Sequence, residues 1–332
     1  MSNLVLADTD LLRSEHALDV SRWCDLGASI LESVCRTEED LIRECREARI
    51  IVYFGNDLPF TERALDHLTE CVLIQRVGVG FDSVDVDAAT ERGIVVSNSA
   101  GYCDEDVANH ALALLLACNQ QIPWHQDNLL RGRWGVVPEV QTERLSGQTL
   151  GIVGIGRIGG SLCERARPLV RRILAHDPYV PRQRADDVGA DLVNFDTLLD
   201  ESDLISLHCP LNDKTRGMVG AVELEKMRST ASIVNTARGS LIDVDALYDA
   251  LVAGRLRGAG LDVFPIEPLP SPLPDLISLP NVVVTPHAAA ASRSSLEEMW
   301  RIVSDSVSSV LQGKLPDTVV NLDVSPRLFR CP

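Results

Sequence analysis

Three polar residues in the second half of the chain each stand just past a short apolar run. Arg238 follows Val234-Asn235-Thr236-Ala237, Glu267 follows Leu261-Asp262-Val263-Phe264-Pro265-Ile266, and His287 follows Val284-Thr285-Pro286. A planar guanidinium can hold a carboxylate in a bidentate fork and polarise the adjacent carbonyl. An imidazole can give a proton to a ketone oxygen and take it back from an alcohol. A carboxylate beside the imidazole fixes its tautomer and favours the charged ring. Each residue alone also has an ordinary reading: a strand-end salt bridge for Arg238, a loop charge before Pro268 for Glu267, a polar strand cap for His287. Together they describe acid–base chemistry at a carbon next to a carboxylate.

A second cluster supplies what such a site would need. Thr149-Leu150-Gly151-Ile152-Val153-Gly154-Ile155-Gly156-Arg157-Ile158-Gly159 reads as strand, tight turn and helix start. Gly154 permits the turn, Gly156 lets backbone approach a pyrophosphate, and Gly159 allows close helix–strand packing. The helix N-terminus then offers free N–H groups and partial positive charge to phosphates. Asp177 lies 18 residues past Gly159, at the end of the next strand. A carboxylate there accepts from ribose hydroxyls and repels a 2′-phosphate, so the expected cofactor is NAD rather than NADP. The alternative is an Asp that caps the loop before Pro178. Arg182 is the nearby cation that could soften the preference.

The elements that must position these residues alternate. Strand-like runs fall at 3–7, 49–54, 72–79 and 94–97, and again at 149–153, 172–175, 204–208, 232–235, 258–263 and 281–285. Helical patterns lie between them, for example at 61–68, 85–91, 105–117, 156–169, 244–252 and 295–311. Such alternation means right-handed parallel βαβ units with helices on both sheet faces. The expected fold is α/β, with two Rossmann-like doubly wound parallel-sheet domains and the active site in the interdomain cleft. The expected division is a substrate domain over 1–99 plus 289–332 and an NAD-binding domain over 100–288, with hinges near 99 and 288.

Bulk properties narrow the partners. The chain has 332 residues, 45% of them hydrophobic and 24% charged, with a formal net charge of -17. That length suits two domains. That acidity repels phosphate backbones and anionic lipid, so neither nucleic acid nor a membrane surface is expected as a partner. An acidic substrate would have to be won by local Arg and N–H groups. The N-terminus has no basic flank and only a short apolar run, so no signal peptide is expected. The nine cysteines are scattered without a Cys-x-x-Cys pair. They suit free thiols in a reducing cytoplasm, and no metal is expected.

With these motifs in place, the chain resembles the D-isomer-specific 2-hydroxyacid dehydrogenase family from about Arg49 to Asn321. The matching stretches are 76–82 (Arg-Val-Gly-Val-Gly-Phe-Asp), 153–159, 208–211 (His-Cys-Pro-Leu), 235–239 (Asn-Thr-Ala-Arg-Gly), 258–263 and 285–287. The stretches 102–110 and 176–179 resemble the C-terminal-binding-protein-like branch. The resemblance implies an NAD-dependent enzyme moving a hydride between nicotinamide and C2 of a small 2-hydroxy or 2-keto acid, of D configuration. It implies that Arg238, Glu267 and His287 are catalytic. The Val79 and Gly80 N–H groups would hold the substrate carboxylate as an anion nest, with Arg76 lining the pocket or serving only as a surface charge. Thr236, Ala237 and Asp262 would contact the nicotinamide half, Cys209 and Pro210 would wall the adenine side, and Thr215 would sit near the phosphates, alongside Arg157 and Ile158 of the fingerprint. Two alternatives remain: an NAD-gated, corepressor-like binding protein without turnover, or a dehydrogenase of a phosphorylated or phosphonate acid.

The sequence departs from the family's pattern at Ser83, where members often have Asn, and at Ala288-Ala289-Ala290-Ala291, where branch relatives often carry a bulky aromatic. The pocket should be larger there, or depend on a different lid. The sequence ends soon after Asn321, so the regulatory extension of some members is expected to be absent. The apolar run Ala111 to Ala117, followed by Trp124 and Trp134, is longer than one buried helix face requires. It predicts a homodimer, the alternative being burial within one chain.

Overall fold

The computed structural model describes residues 3–8 and 329 as backbone, and residues 20–55, 58–135 and 142–328 in full. The chain divides into two units, one formed by Met1–Cys103 with Ser292–Pro332 and the other by Asp104–Ala291.

The first unit holds a five-stranded sheet in the order β2-β1-β3-β4-β5. Its strands are β1 (Asn3–Asp8), β2 (Ala28–Ser33), β3 (Ile50–Tyr53), β4 (Leu73–Arg76) and β5 (Val95–Ser97), and each pairs with its neighbours in parallel. Helices α1 (Ser21–Asp25), α2 (Glu38–Cys45), α3 (Glu62–His67) and α4 (Val86–Glu91) connect them, and the long helix Arg293–Leu311 completes the unit. Successive strand side chains point to opposite faces. Ile51, Tyr53, Ile74 and Val96 therefore join one core, with Leu41, Leu65 and Ala88 from α2, α3 and α4. Ile50, Val52, Leu73 and Val95 join the other, with Trp23 of α1 and Met299, Val303 and Val307 of the long helix. Both faces of the central strands are buried, which is why β3 reads as an unbroken apolar run.

The second unit holds a seven-stranded sheet in the order β12-β11-β10-β9-β6-β7-β8. The strands are β6 (Thr149–Val153), β7 (Arg172–His176), β8 (Asp191–Leu192), β9 (Leu204–Leu207), β10 (Ser232–Asn235), β11 (Gly258–Leu261) and β12 (Val282–Val284), again all in parallel pairs. Its helices are α5 (Asp104–Asn119), α6 (Ile122–Leu130), α7 (Arg157–Ala166), α8 (Arg182–Val188), α9 (Phe195–Glu201), α10 (Ala221–Lys226) and α11 (Val244–Val252). The strand order reverses between β6 and β9. In an open parallel sheet the crevice beyond the C-terminal ends of such a pair is where ligands bind.

Two strands differ from the sequence expectation. β2 carries Ser29, Glu32 and Ser33 and lies at the sheet edge, partly exposed, so it shows no apolar run. β8 has two residues at the opposite edge of its sheet. Among the described residues no helix is long and apolar enough to cross a membrane. The apolar run of α5 is largely buried inside its own unit, through Ala111, Leu114 and Leu115.

Candidate active site

The glycine motif lies at the strand reversal. Gly154 follows β6 with φ +89°, and a Cβ there would come within 2.9 Å of the Cys209 N just past β9. Only glycine takes that conformation at no steric cost, and only glycine fits so close to a second backbone. A Cβ on Gly159 would collide with the Gly154 carbonyl oxygen, whereas one on Gly156 would meet open space. No side chain caps the N-terminus of α7, so its first N–H groups are available to an anion. Arg157 opens this helix exposed and pairs with Asp104 at 2.7 Å, and Ile158 is partly buried beside it.

Asp177 stands just past β7. Its carboxylate accepts from Ile155 N at 3.1 Å and from Tyr179 N at 3.0 Å, which fixes it against the glycine loop. The cation on that loop is Arg184, which donates to the carbonyls of Ile155 and Gly156 at 3.1 and 2.8 Å. Arg182, the residue singled out from the sequence, has no such contact with the loop. Thr236 is 8% exposed, and its hydroxyl has no partner among the described residues. An unpaired buried hydroxyl is costly and suits a site completed by a polar ligand. The open space at Gly156, the uncapped helix, Asp177 and the Thr236 hydroxyl together fit a dinucleotide. Ala237 is partly buried beside Thr236.

Cys209 is partly buried, with Sγ 3.6 Å from the Met218 sulfur. Burial pushes its thiol up to about 11, which keeps it protonated and makes it a wall, not a nucleophile. Pro210 is exposed beside it, and its carbonyl accepts from the Thr215 hydroxyl at 2.7 Å. That hydroxyl also caps Asn212 N at 2.9 Å, so Thr215 organises this turn.

Arg238, Glu267 and His287 come together at the C-terminal ends of β10, β11 and β12. Asn235, 1% exposed, clamps the Arg238 loop by donating to the Arg238 carbonyl at 2.8 Å and accepting from Ala237 N at 3.0 Å. A Cβ on Gly239 would run into the Phe264 and Pro265 backbone, so glycine lets this loop press against the segment that carries Glu267. Glu267 accepts from Phe264 N at 2.8 Å through Oε1 and meets His287 Nδ1 at 2.6 Å through Oε2. Burial raises the Glu267 carboxyl. The hydrogen bonds from His287 and the Phe264 N–H, and the charges of His287 and Arg238, outweigh it, and the net shift is below the usual glutamate value. His287 takes a left-handed backbone, φ +53°, and its side chain is 39% exposed.

Asp262 is fully buried. Its oxygens accept from the Thr285 hydroxyl and from Ala288 N and Ala289 N, an anchor for the turn after His287. Thr285 and His110, which contacts it at 2.9 Å, lie in stretches that carry the resemblance but had no role assigned from the sequence. His110 is on α5, and no spacing in the chain signals its approach.

In the first unit, Gly78 takes φ +132° and the loop is tied down by Ser99 N to Gly78 O at 2.9 Å and Asn98 Nδ2 to Val79 O at 2.7 Å. The amides of Val79 and Gly80 donate to no acceptor among the described residues, so two consecutive N–H groups stand open as an anion cradle. Arg76 is 6% exposed and lies over the rings of Tyr53 and Phe54, at 5.4 and 5.8 Å, donating to the Val77 carbonyl. It is no surface charge.

Residues 112–289 match the family model described as the NAD binding domain of D-isomer specific 2-hydroxyacid dehydrogenase. The chain is 38% identical over 309 residues to a D-3-phosphoglycerate dehydrogenase of Archaeoglobus fulgidus, covering 93% of this chain and 58% of that relative. The chain thus spans little more than half the length of that protein. It is 40% identical over 322 residues to a glyoxylate reductase of Korarchaeum cryptofilum, covering 96% of this chain and 94% of the relative. Among solved structures, the D-lactate dehydrogenase of Aquifex aeolicus complexed with NAD and lactic acid superposes with a TM-score of 0.85 at 27% identity, covering 96% of this chain and 99% of that one. By its sequence and its two parallel-sheet units, this chain belongs to the D-isomer-specific 2-hydroxyacid dehydrogenase family.

Proposed function

We propose that the protein is an NAD-dependent D-2-hydroxyacid dehydrogenase acting on a small 2-hydroxy or 2-keto acid, with Arg238, Glu267 and His287 as its catalytic residues. The observation that carries this reading is the 2.6 Å contact between His287 Nδ1 and Glu267 Oε2. An ionised carboxylate can only accept, so Nδ1 carries a proton and Nε2 is the nitrogen that exchanges one with substrate. In reduction, Nε2–H gives its proton to the carbonyl oxygen at C2; in oxidation, neutral Nε2 takes the hydroxyl proton. Glu267 stabilises the charged imidazolium that forms in the second direction. Arg238 holds the substrate carboxylate by charge-assisted hydrogen bonds and polarises the C2 oxygen. The bound nicotinamide supplies the hydride in reduction and accepts it in oxidation.

The cofactor-binding residues in this reading are Gly154, Gly156, Arg157, Ile158, Gly159, Asp177, Cys209, Pro210, Thr215, Thr236 and Ala237, all on the unit formed by residues 104–291. Asp262 belongs to the same set, on the nicotinamide side. The Val79–Gly80 amides serve as a carboxylate cradle on the other unit, with Arg76 beneath it as a fixed positive charge. The stretches 102–110 and 176–179 favour the C-terminal-binding-protein-like branch. The eight described cysteines are all free, and Cys331 lies outside the described residues. A reducing cytoplasm suits such a set.

The test is NADH oxidation against 2-keto acids of graded size and charge, with chiral chromatography of the products. Turnover to the D product supports the reading. No turnover of any acid, or a product mostly of L form, overturns it.

A further inference from the structure

His287 sits at a bend with a left-handed backbone, φ +53°, a conformation uncommon outside glycine even though histidine tolerates it better than most residues. Local hydrogen bonds hold it there. His287 N donates to Asp262 O at 2.7 Å and to Thr285 O at 3.1 Å. The next two amides, Ala288 N and Ala289 N, donate to the two oxygens of the Asp262 side chain at 2.8 and 3.0 Å. The Thr285 hydroxyl donates to the same carboxylate at 2.5 Å. A hydroxyl has one proton, and this one is given to Asp262. The His110 Nε2 that lies 2.9 Å from Thr285 Oγ1 must therefore be the donor in that contact. It also lies 3.5 Å from Asp262 Oδ1. The result is a directional chain: His110 Nε2–H donates to Thr285 and Thr285 O–H donates to Asp262, which also accepts from the Ala288 and Ala289 amides on the C-terminal side of His287.

We infer that His110 is a positioning residue for the reaction. By donating to Thr285 it orients that hydroxyl toward Asp262, and so fixes the left-handed turn that aims the His287 imidazole at substrate. His110 is on α5, outside the loops that bear the catalytic residues. The inference rests on the reading of His287 as the acid–base group.

The chain can be broken at either link. His110→Phe removes the donor and keeps a ring, and His110→Gln restores an N–H donor. Thr285→Val removes the hydroxyl at constant shape, and Thr285→Ser restores it. With glyoxylate and NADH as probes, His110→Phe and Thr285→Val should each lower kcat by roughly 10 to 10²-fold, within the range for a misplaced acid–base group. The KM for glyoxylate and the NADH Kd from fluorescence should stay within about threefold, since no binding residue has moved. His110→Gln and Thr285→Ser should recover most of kcat. In a His287→Ala background, His110→Phe should have no further effect, because its whole action passes through His287. The inference is overturned if His110→Phe keeps kcat within about twofold, if the Gln and Ser variants recover nothing, or if the loss adds in full to that of His287→Ala. If either removal variant does not fold, the paired conservative variant at the same position decides by the same criterion. A His287→Ala protein with normal kcat would instead overturn the acid–base reading itself, a result separable from every outcome at position 110.

Discussion

Glu267 and His287 form one hydrogen-bonded unit, with Oε2 2.6 Å from Nδ1 while Oε1 takes the Phe264 N–H at 2.8 Å. Both carboxylate oxygens are thereby committed. Rotating Glu267 away would cost two charge-assisted contacts, so the imidazole has a fixed partner and a fixed tautomer.

Glu267→Gln should lower kcat by roughly 10 to 10³-fold, because the amide cannot stabilise an imidazolium and can offer the wrong group to Nδ1. The pH dependence follows from the direction of the Glu267 shift. Its carboxyl is held below 4.5, so its contribution is present above that value and lost only as pH falls through the lower folded value. Reduction uses a protonated imidazole, so its acid limb should begin below pH 4.5. Initial rates after a pH jump measure this. An acid limb near pH 6 that disappears in Glu267→Gln would contradict the assignment.

His287→Ala should lower kcat by roughly 10² to 10⁴-fold, the usual contribution of a positioned acid–base group. NADH affinity should stay within about threefold, because the glycine loop and Asp177 are untouched. Stopped-flow turnover and fluorescence titration of the same protein separate the two effects.

Asp177 is fixed by Ile155 N and Tyr179 N, so its charge cannot swing away from a 2′-phosphate. NAD should be preferred over NADP by roughly 10²-fold in kcat/KM, as close like charges cost several kcal/mol. Asp177→Ala should narrow that ratio at least tenfold, leaving Arg184 on the loop as the remaining charge. Comparing kcat/KM for the two cofactors in both proteins checks it, and an NADP preference in the unaltered chain would contradict it.

His208, beside Ser206 Oγ at 2.8 Å, is pushed down to about 4 by burial. The folded protein therefore resists protonating it while the unfolded chain does not. Stability should fall as pH drops from 6.5 toward 4, by on the order of 1 to 3 kcal/mol. His208→Gln should be less sensitive across that window. Thermal melts at graded pH measure both, and parallel curves for the two proteins would exclude the effect.

A homodimer is the expected assembly. Ile122, Leu129, Leu130 and Trp134 are 53, 54, 79 and 91% exposed on and just after α6, an apolar group that one chain leaves in water. Light scattering should give twice the chain mass of 36.2 kDa at micromolar concentration. Leu130→Glu with Trp134→Glu should give the monomer, and a monomeric unaltered protein would rule the dimer out.

The sequence by itself determined the parallel architecture, because strands buried on both faces are mostly apolar, as Ile50 to Tyr53 is. It determined the glycine motif and the three strand-end residues, because a tight turn needs Gly154 and proton transfer needs Arg, Glu and His types. Edge strands β2 and β8 escaped it, since a half-exposed or two-residue strand need not be apolar. What only the tertiary structure decided are the contacts between residues far apart in the chain. The pairing of β6 with β9 brings Cys209 against Gly154. The parallel β11–β12 pair lets Asp262 cap the turn after His287. The packing of α5 sets His110 on Thr285, 175 residues away. Arg76, which the sequence left between a pocket residue and a surface charge, is buried over the rings of Tyr53 and Phe54. Spacing along a chain sets which face of an element a residue occupies; which second element meets that face is settled by packing.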